Sequence, residues 1–181
     1  MAKAAGGRKA AAKRTQTRVA AAVPPSDETA LDLADRMRWG ALAVLSVAAM
    51  GVAAYLTYTH YADKQVTCLV GHGCQTVQQS SYSTIAGVPV ALLGGLAATA
   101  LLSIALGRLA GLALAVEWAS LAALGLTTAS VAFAAYLTYV ELFVLEAICI
   151  YCVALACIFT TSWLISLGDS FLTRDISPEP E

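Results

Sequence analysis

Five cysteines are the residues of this 181-residue chain whose types and spacing most directly imply chemistry. Cys149-Ile150-Tyr151-Cys152 opens a long apolar run, and a helix beginning there sets the two sulfurs one turn apart on one face. Cys149 then lies near the helix N-terminus, where the macrodipole favours a thiolate, the species that attacks in disulfide exchange. Cys68 and Cys74 flank a stretch that contains Gly71, His72 and Gly73, which reads as a loop able to move. A mobile pair can carry electrons between a soluble protein and a fixed pair. Two other chemistries use the same residues. One is a non-catalytic membrane scaffold tied by two structural disulfides. The other is a Cys/His metal-binding membrane protein drawing on Cys68, His72, Cys74, Cys149 and Cys152, although that spacing matches no familiar zinc module. Cys157 is about 140° round the helix from Cys152 and reads as a small buried hydrophobe, and His60 reads as interfacial.

The elements that position these thiols follow from composition. The chain is 59% hydrophobic and 13% charged, which is too apolar for an ordinary soluble domain. Residues 39–58, 88–106 and 148–167 contain no Asp, Glu, Lys or Arg, and a fourth block, 109–139, is interrupted by Glu117. Each is long enough for a helix to cross the ~30 Å hydrocarbon core, and no alternating barrel pattern is present. The expected fold is all-α: an integral membrane bundle of four transmembrane helices, with a cysteine-bearing outer loop between helices 1 and 2. Domain limits of 1–38 for a basic N-terminal arm, 39–168 for the membrane domain and 169–181 for a C-terminal tail follow.

Charge orients the bundle. Eight of the eleven Lys and Arg residues precede the first span, Arg108 lies between the second and third, Arg174 follows the fourth, and Lys64 lies across the membrane from them. The positive-inside rule predicts a multi-pass protein of the cell (inner, cytoplasmic) membrane, with both termini cytoplasmic and loops 59–87 and 140–147 outside. The basic arm reads as a topology determinant beside anionic lipid rather than a nucleic-acid site. The late start of the first apolar run argues against a cleaved signal peptide. Cys68, Cys74, Cys149 and Cys152 then all face the oxidising side, where disulfides persist.

A repeated hexapeptide, AAYLTY, occupies 53–58 and 134–139, and a cysteine stands ten residues beyond each copy. Helices 1 and 3 run in the same direction, so both copies meet one interface, where tyrosines place an apolar body beside a wet hydroxyl. Duplication is a second explanation, with a mismatch: the counterpart of Cys152 is Gly71.

Taken in order, these features resemble the bacterial homologues of vitamin K epoxide reductase. The order is Cys68-x5-Cys74, Val77, Ser80-Ser81-Tyr82, Gly87-Val88-Pro89-Val90-Ala91-Leu92-Leu93-Gly94, then Tyr136-Leu137-Thr138-Tyr139 leading to Cys149-x2-Cys152. The other quinone-linked disulfide generator of bacterial membranes, DsbB, carries its CxxC in the first outer loop, the reverse of this order. The resemblance implies a quinone-dependent thiol-disulfide oxidoreductase. It would reoxidise a thioredoxin-fold (DsbA-like) partner outside the cytoplasm and pass the electrons to menaquinone or ubiquinone, with no metal and no nucleic acid. It further implies that Cys152 reacts with the quinone, Cys149 exchanges with Cys74, and Cys68 exchanges with the partner. Ser80 matches a family serine placed near the quinone ring, and it can equally cap the turn at 80–85. No further CxxC follows Cys152, so the partner is expected to be a separate protein. Ala156 stands where vertebrate members have tyrosine, so epoxide reduction is not carried over.

Overall fold

The computed structural model describes residues 25–62, 66, 68 and 73–176. The first 24 residues of the basic arm, Lys64, His72 and residues 177–181 lie outside the described residues. Five helices are described: α1 (Pro25–Tyr61), α2 (Gly73–Gln79), α3 (Val90–Leu109), α4 (Ala113–Phe143) and α5 (Ile150–Ile176). A two-stranded hairpin, β1 (Thr84–Ile85) and β2 (Val88–Pro89), pairs Thr84 with Pro89 and Ile85 with Val88 just ahead of α3. The chain divides into Met1–Met37 and Arg38–Glu181. In the first unit Arg36 pairs with Asp32 one turn away at 3.2 Å, an exposed contact of little energetic weight.

Among the described residues four helical stretches are long and apolar enough to cross a membrane: Asp32–Tyr61, Val90–Leu109, Trp118–Phe143 and Ile150–Ser170. Each runs about one turn past the C-terminal end of the block read from the sequence, because a helix does not stop where its side chains become polar. Buried hydroxyls on these helices donate within their own turn. Ser46 Oγ donates to Leu42 O (2.7 Å), Thr127 Oγ1 to Ala123 O (2.7 Å) and Ser166 Oγ to Ser162 O (2.9 Å). Such bonds satisfy polar groups where water is absent, as a bilayer setting requires.

Within the second unit, three packed clusters follow one another along α1 from Trp39 to Leu56. Trp39 and Leu42 meet Leu101, Ala105, Ala119 and Ala123 at one end. Ala49 meets Ala98 and Phe159 at mid-height. Leu56 meets Cys74 and Cys149 at the other end. Alanines bring the backbones close, and a Cβ on Gly95 would lie 3.3 Å from that of Ala53. Gly111, with φ at +70°, follows the last turn of α3, where a left-handed residue lets the chain leave the helix and begin α4.

Three sequence expectations change. The cysteine-bearing loop between helices 1 and 2 is present, but Cys74 sits on a short helix and is 1% exposed, so this end of the pair is held rather than loose. The expected 140–147 loop shrinks to residues 144–149, because α4 continues to Phe143 and brings Glu141 into a helix. Cys157 is exposed rather than buried, since its angle from Cys152 carries it to the outer surface of the bundle.

Candidate active site

The short link between α4 and α5 is folded around Glu141. The Val144 and Leu145 amides both donate to Val140 O (3.0 and 2.9 Å), and the Ala147 amide donates to Glu141 O (3.0 Å). Glu146 adopts φ of +48°, which turns the chain back over the last turn of α4. The Glu141 side chain then accepts the Cys149 amide on Oε2 at 3.2 Å. Val153 N donates to Cys149 O at 3.0 Å, so Cys149 occupies the N-cap of α5 and its amide is one of the donors that the helix leaves unpaired.

Cys149 is 1% exposed. Its thiol is lowered from the ordinary cysteine range to about 7, first by the hydrogen bond from the Cys152 thiol and further by the Cys152 and Tyr151 amides. Burial and the Glu141 charge oppose this shift. The Cys152 side chain is also in hydrogen-bonding contact with the Glu141 carboxyl. The helix-start pair is therefore asymmetric. Cys149 is shifted toward the thiolate, and the Cys152 thiol donates the hydrogen bond that stabilises it.

The other pair arrives on α2. Cys68 and Cys74 form a disulfide with their Cα atoms 6.0 Å apart, whereas Cys149, Cys152 and Cys157 are free. A Cβ built on Gly73 would overlap the Ile148 carbonyl, so only glycine lets α2 approach the residue before the CxxC. Two glutamines anchor α2 to the chain before it. Gln75 Oε1 accepts the Val66 amide, and Gln78 Nε2 donates to Leu56 O near the end of α1, both at 3.2 Å. One cluster results, with Cys74 and Cys149 in its buried centre and Cys68 and Cys152 packed against it. Tyr55, from the first AAYLTY copy, meets the Tyr151 ring at 5.3 Å between centroids.

A cavity of about 350 Å³ opens beside this cluster, within the range of small-molecule sites. Its walls are mainly apolar, with Leu56, Ala91, Phe133, Leu137 and Leu155 among them, and the second AAYLTY copy supplies Ala134, Leu137 and Thr138. Of the four sequence-predicted cysteines only Cys152 lines it, together with Glu141 and Ser80. Ser80 precedes the 3-10 turn Ser81–Ser83 but makes no side-chain cap bond, and its hydroxyl donates to Val77 O at 2.7 Å. Among the described residues no group of three or more His, Cys, Asp or Glu side chains is arranged to hold a metal ion.

Residues 40–167 match the model of the vitamin K epoxide reductase family. The chain belongs to that family. Membership supports a membrane redox function for the four-cysteine cluster, and the matched segment contains all five cysteines, two of the helical stretches entire and most of the other two.

The sequence reading missed Glu141, Gly73 and Gln78. Glu141 had a visible signal: the apolar run resumes after it as Leu142-Phe143-Val144-Leu145, which embeds the acid rather than ending the span. Gly73 read as loop freedom when it marks a close approach. The stretch GCQTVQQ has no apolar period, so nothing in it announced a helix.

Proposed function

We propose that this family member oxidises a dithiol of a thioredoxin-fold protein outside the cytoplasm and passes the two electrons to a quinone held in the bundle. The observation that carries the reading is the division among the cysteines. Cys152 alone faces the apolar cavity, Cys149 and Cys74 share the buried junction, and Cys68 and Cys74 are already bonded. In the proposed order a partner thiolate attacks Cys68, and the partner's second thiol displaces it, leaving the partner oxidised and Cys68 and Cys74 as thiols. Cys74 then attacks Cys149 of the oxidised helix-start pair and releases Cys152. Attack of Cys68 on Cys74 restores the first disulfide and leaves Cys149 and Cys152 reduced. The quinone accepts two electrons and two protons from that pair and leaves as hydroquinone while the Cys149–Cys152 bond forms. Exchange is thus done at the protein's wet end, and the apolar acceptor stays among helices that exclude water. In this reading Ser80 contacts the bound quinone. Its hydroxyl must turn from Val77 O to donate to a quinone oxygen.

The orientation proposed earlier is supported by the arginines. Arg38 pairs with Asp169, and Arg108 lies 5.9 Å from the centre of the Trp39 ring, both at the end of the bundle away from the cysteines. That end is the cytoplasmic one under the positive-inside rule.

Purified protein in lipid nanodiscs should oxidise dithiothreitol only when a short-chain quinone is supplied, and Cys152→Ser should abolish quinone reduction. A serine variant with normal turnover would defeat the proposed order. Turnover indifferent to quinone would defeat the enzyme reading. A Cys74→Ser variant leaves Cys68 as a free thiol, which should attack the disulfide of the oxidised physiological partner, the reverse of the first exchange, and hold it as a mixed disulfide.

A further inference from the structure

We propose that Glu141 is the proton acceptor for Cys152 when the reduced helix-start pair delivers its electrons to quinone. This deepens the quinone reading and rests on it. Two thiols and one quinone become a disulfide and a hydroquinone, so both sulfurs must give up a proton and the quinone oxygens must gain two. Cys149 is buried in the junction and does not line the cavity, whereas Cys152 does. The Cys152 proton therefore needs an acceptor that touches both the sulfur and the cavity.

Glu141 meets both conditions. It is 4% exposed, its carboxyl contacts the Cys152 thiol, and it lines the cavity. Other polar groups of the wall are committed to main chain: Ser80 donates to Val77 O, Ser130 to Leu126 O and Thr138 to Ala134 O. Tyr82 also lines the wall, but it is 42% exposed, and a phenol is a poor proton acceptor. Among the described cavity residues Glu141 is the one carboxyl group.

The step balances as follows. The Glu141 carboxylate takes the Cys152 proton, the sulfur–sulfur bond to Cys149 forms, and the two electrons pass to the quinone. The proton on Glu141 goes to one quinone oxygen, and the other takes a proton from water, which balances the one Cys149 releases to water as it becomes a thiolate. A purely architectural role is the competing account, because Glu141 also holds the Cys149 amide.

Glu141→Gln separates the two accounts. Glutamine keeps an oxygen that can accept the Cys149 amide but cannot take up a proton. Reduced protein in nanodiscs, mixed with a short-chain benzoquinone and followed by absorbance, should lose about 100-fold in the quinone step, the usual scale for a general base. Reduction of Cys68–Cys74 by dithiothreitol should stay within about twofold, because a neutral side chain of the same shape preserves that site, and alkylation of Cys149 by iodoacetamide should not fall, because loss of the Glu141 charge favours the thiolate. Glu141→Asp, which keeps a carboxylate, should recover about tenfold of the quinone step relative to Gln. It also carries the test should the Gln variant fail to fold: slowing confined to the quinone step is then expected. A Gln variant that reduces quinone at the native rate overturns the proposal and leaves the quinone reading standing. Parallel loss of quinone reduction, dithiol exchange and Cys149 alkylation in either variant also overturns it, in favour of architecture. A native protein that fails to reduce quinone removes the underlying reading itself.

Discussion

Two buried carboxyl groups lie at opposite ends of the same helix pair, Glu141 near the end of α4 and Asp169 near the end of α5. They are 4% and 3% exposed, yet they keep different company. Asp169 accepts from the Ser120 hydroxyl near the start of α4 and pairs with Arg38 at 3.5 Å. A cation and a hydroxyl compensate its burial, which is how an apolar bundle fixes the register of its helices. Glu141 has an amide and a thiol for partners, and a cavity beside it. The contrast separates a carboxylate held for architecture from one placed against a group that must change protonation.

Removing the architectural carboxylate tests the comparison most severely. Asp169→Ala leaves Arg38 and Ser120 without their shared acceptor, and loss of one partner from a buried pair costs about 3–5 kcal/mol. Its melting temperature in nanodiscs should fall sharply, while quinone reduction per folded molecule should match the native protein. An equal loss of turnover per folded molecule would show that the two ends are not independent.

At the cysteine end the next largest effect is expected from Gly73→Ala. The added Cβ collides with the Ile148 carbonyl, so α2 must back away and carry Cys74 from Cys149. A displacement of about 1 Å at a reacting pair costs on the order of 100-fold. Rapid-quench alkylation should show slow transfer from the loop pair to the helix-start pair, with the initial dithiothreitol attack unchanged. Native transfer rates would mean that Cys74 does not need the docked position of α2.

Cys149 provides a pH test. A thiol lowered to about 7 from an ordinary value near 9.0 is half thiolate at neutral pH. Iodoacetamide alkylation of Cys149 should therefore rise with pH around a midpoint near 7. Replacing Cys152 by alanine removes the largest stabilising hydrogen bond and should move the midpoint up toward 9, with at least about a tenfold fall in rate at pH 7. The sign is fixed by the cause: the partner thiol stabilises the anion, so its loss must raise the midpoint. A midpoint that stays put would assign the shift to the helix N-terminus instead.

What the sequence disclosed, and what it withheld, divides along the same line. The four spans were legible because transfer from water to hydrocarbon acts residue by residue, and an uncharged block of ~20 residues is its direct signature. The cysteines were legible by type and spacing, and Cys149-x2-Cys152 also announced the start of α5. The apolar run around Glu141 was visible, but its contact with the CxxC was not, because that contact depends on the 144–149 link folding back, and the turn is made by main-chain bonds and a left-handed Glu146 that no composition rule flags. Gly73 was misjudged for a related reason. A glycine needed for close approach and one needed for freedom look identical until the neighbouring carbonyl is located. The AAYLTY copies show the limit most plainly. Identical letters put Tyr55 against the CxxC helix and leave Tyr136 51% exposed, because their surroundings differ and their local sequence does not.

The smallest expected effect refines the contrast rather than breaking it. Ser120→Ala removes one neutral donor from Asp169 and keeps the Arg38 pair, so the carboxylate stays compensated and the loss should be about 1 kcal/mol. The corresponding trim at the other end, Glu141→Gln, also removes little volume, yet it takes away the base that faces the Cys152 proton. If the architecture of the two ends is alike and only their chemistry differs, thermal melting should register both substitutions as minor, and quinone reduction should register only the second. A Ser120→Ala variant that slowed the quinone step by more than about twofold would tie Asp169 to proton movement through the bundle, because a lost neutral hydrogen bond alone does not reach that far.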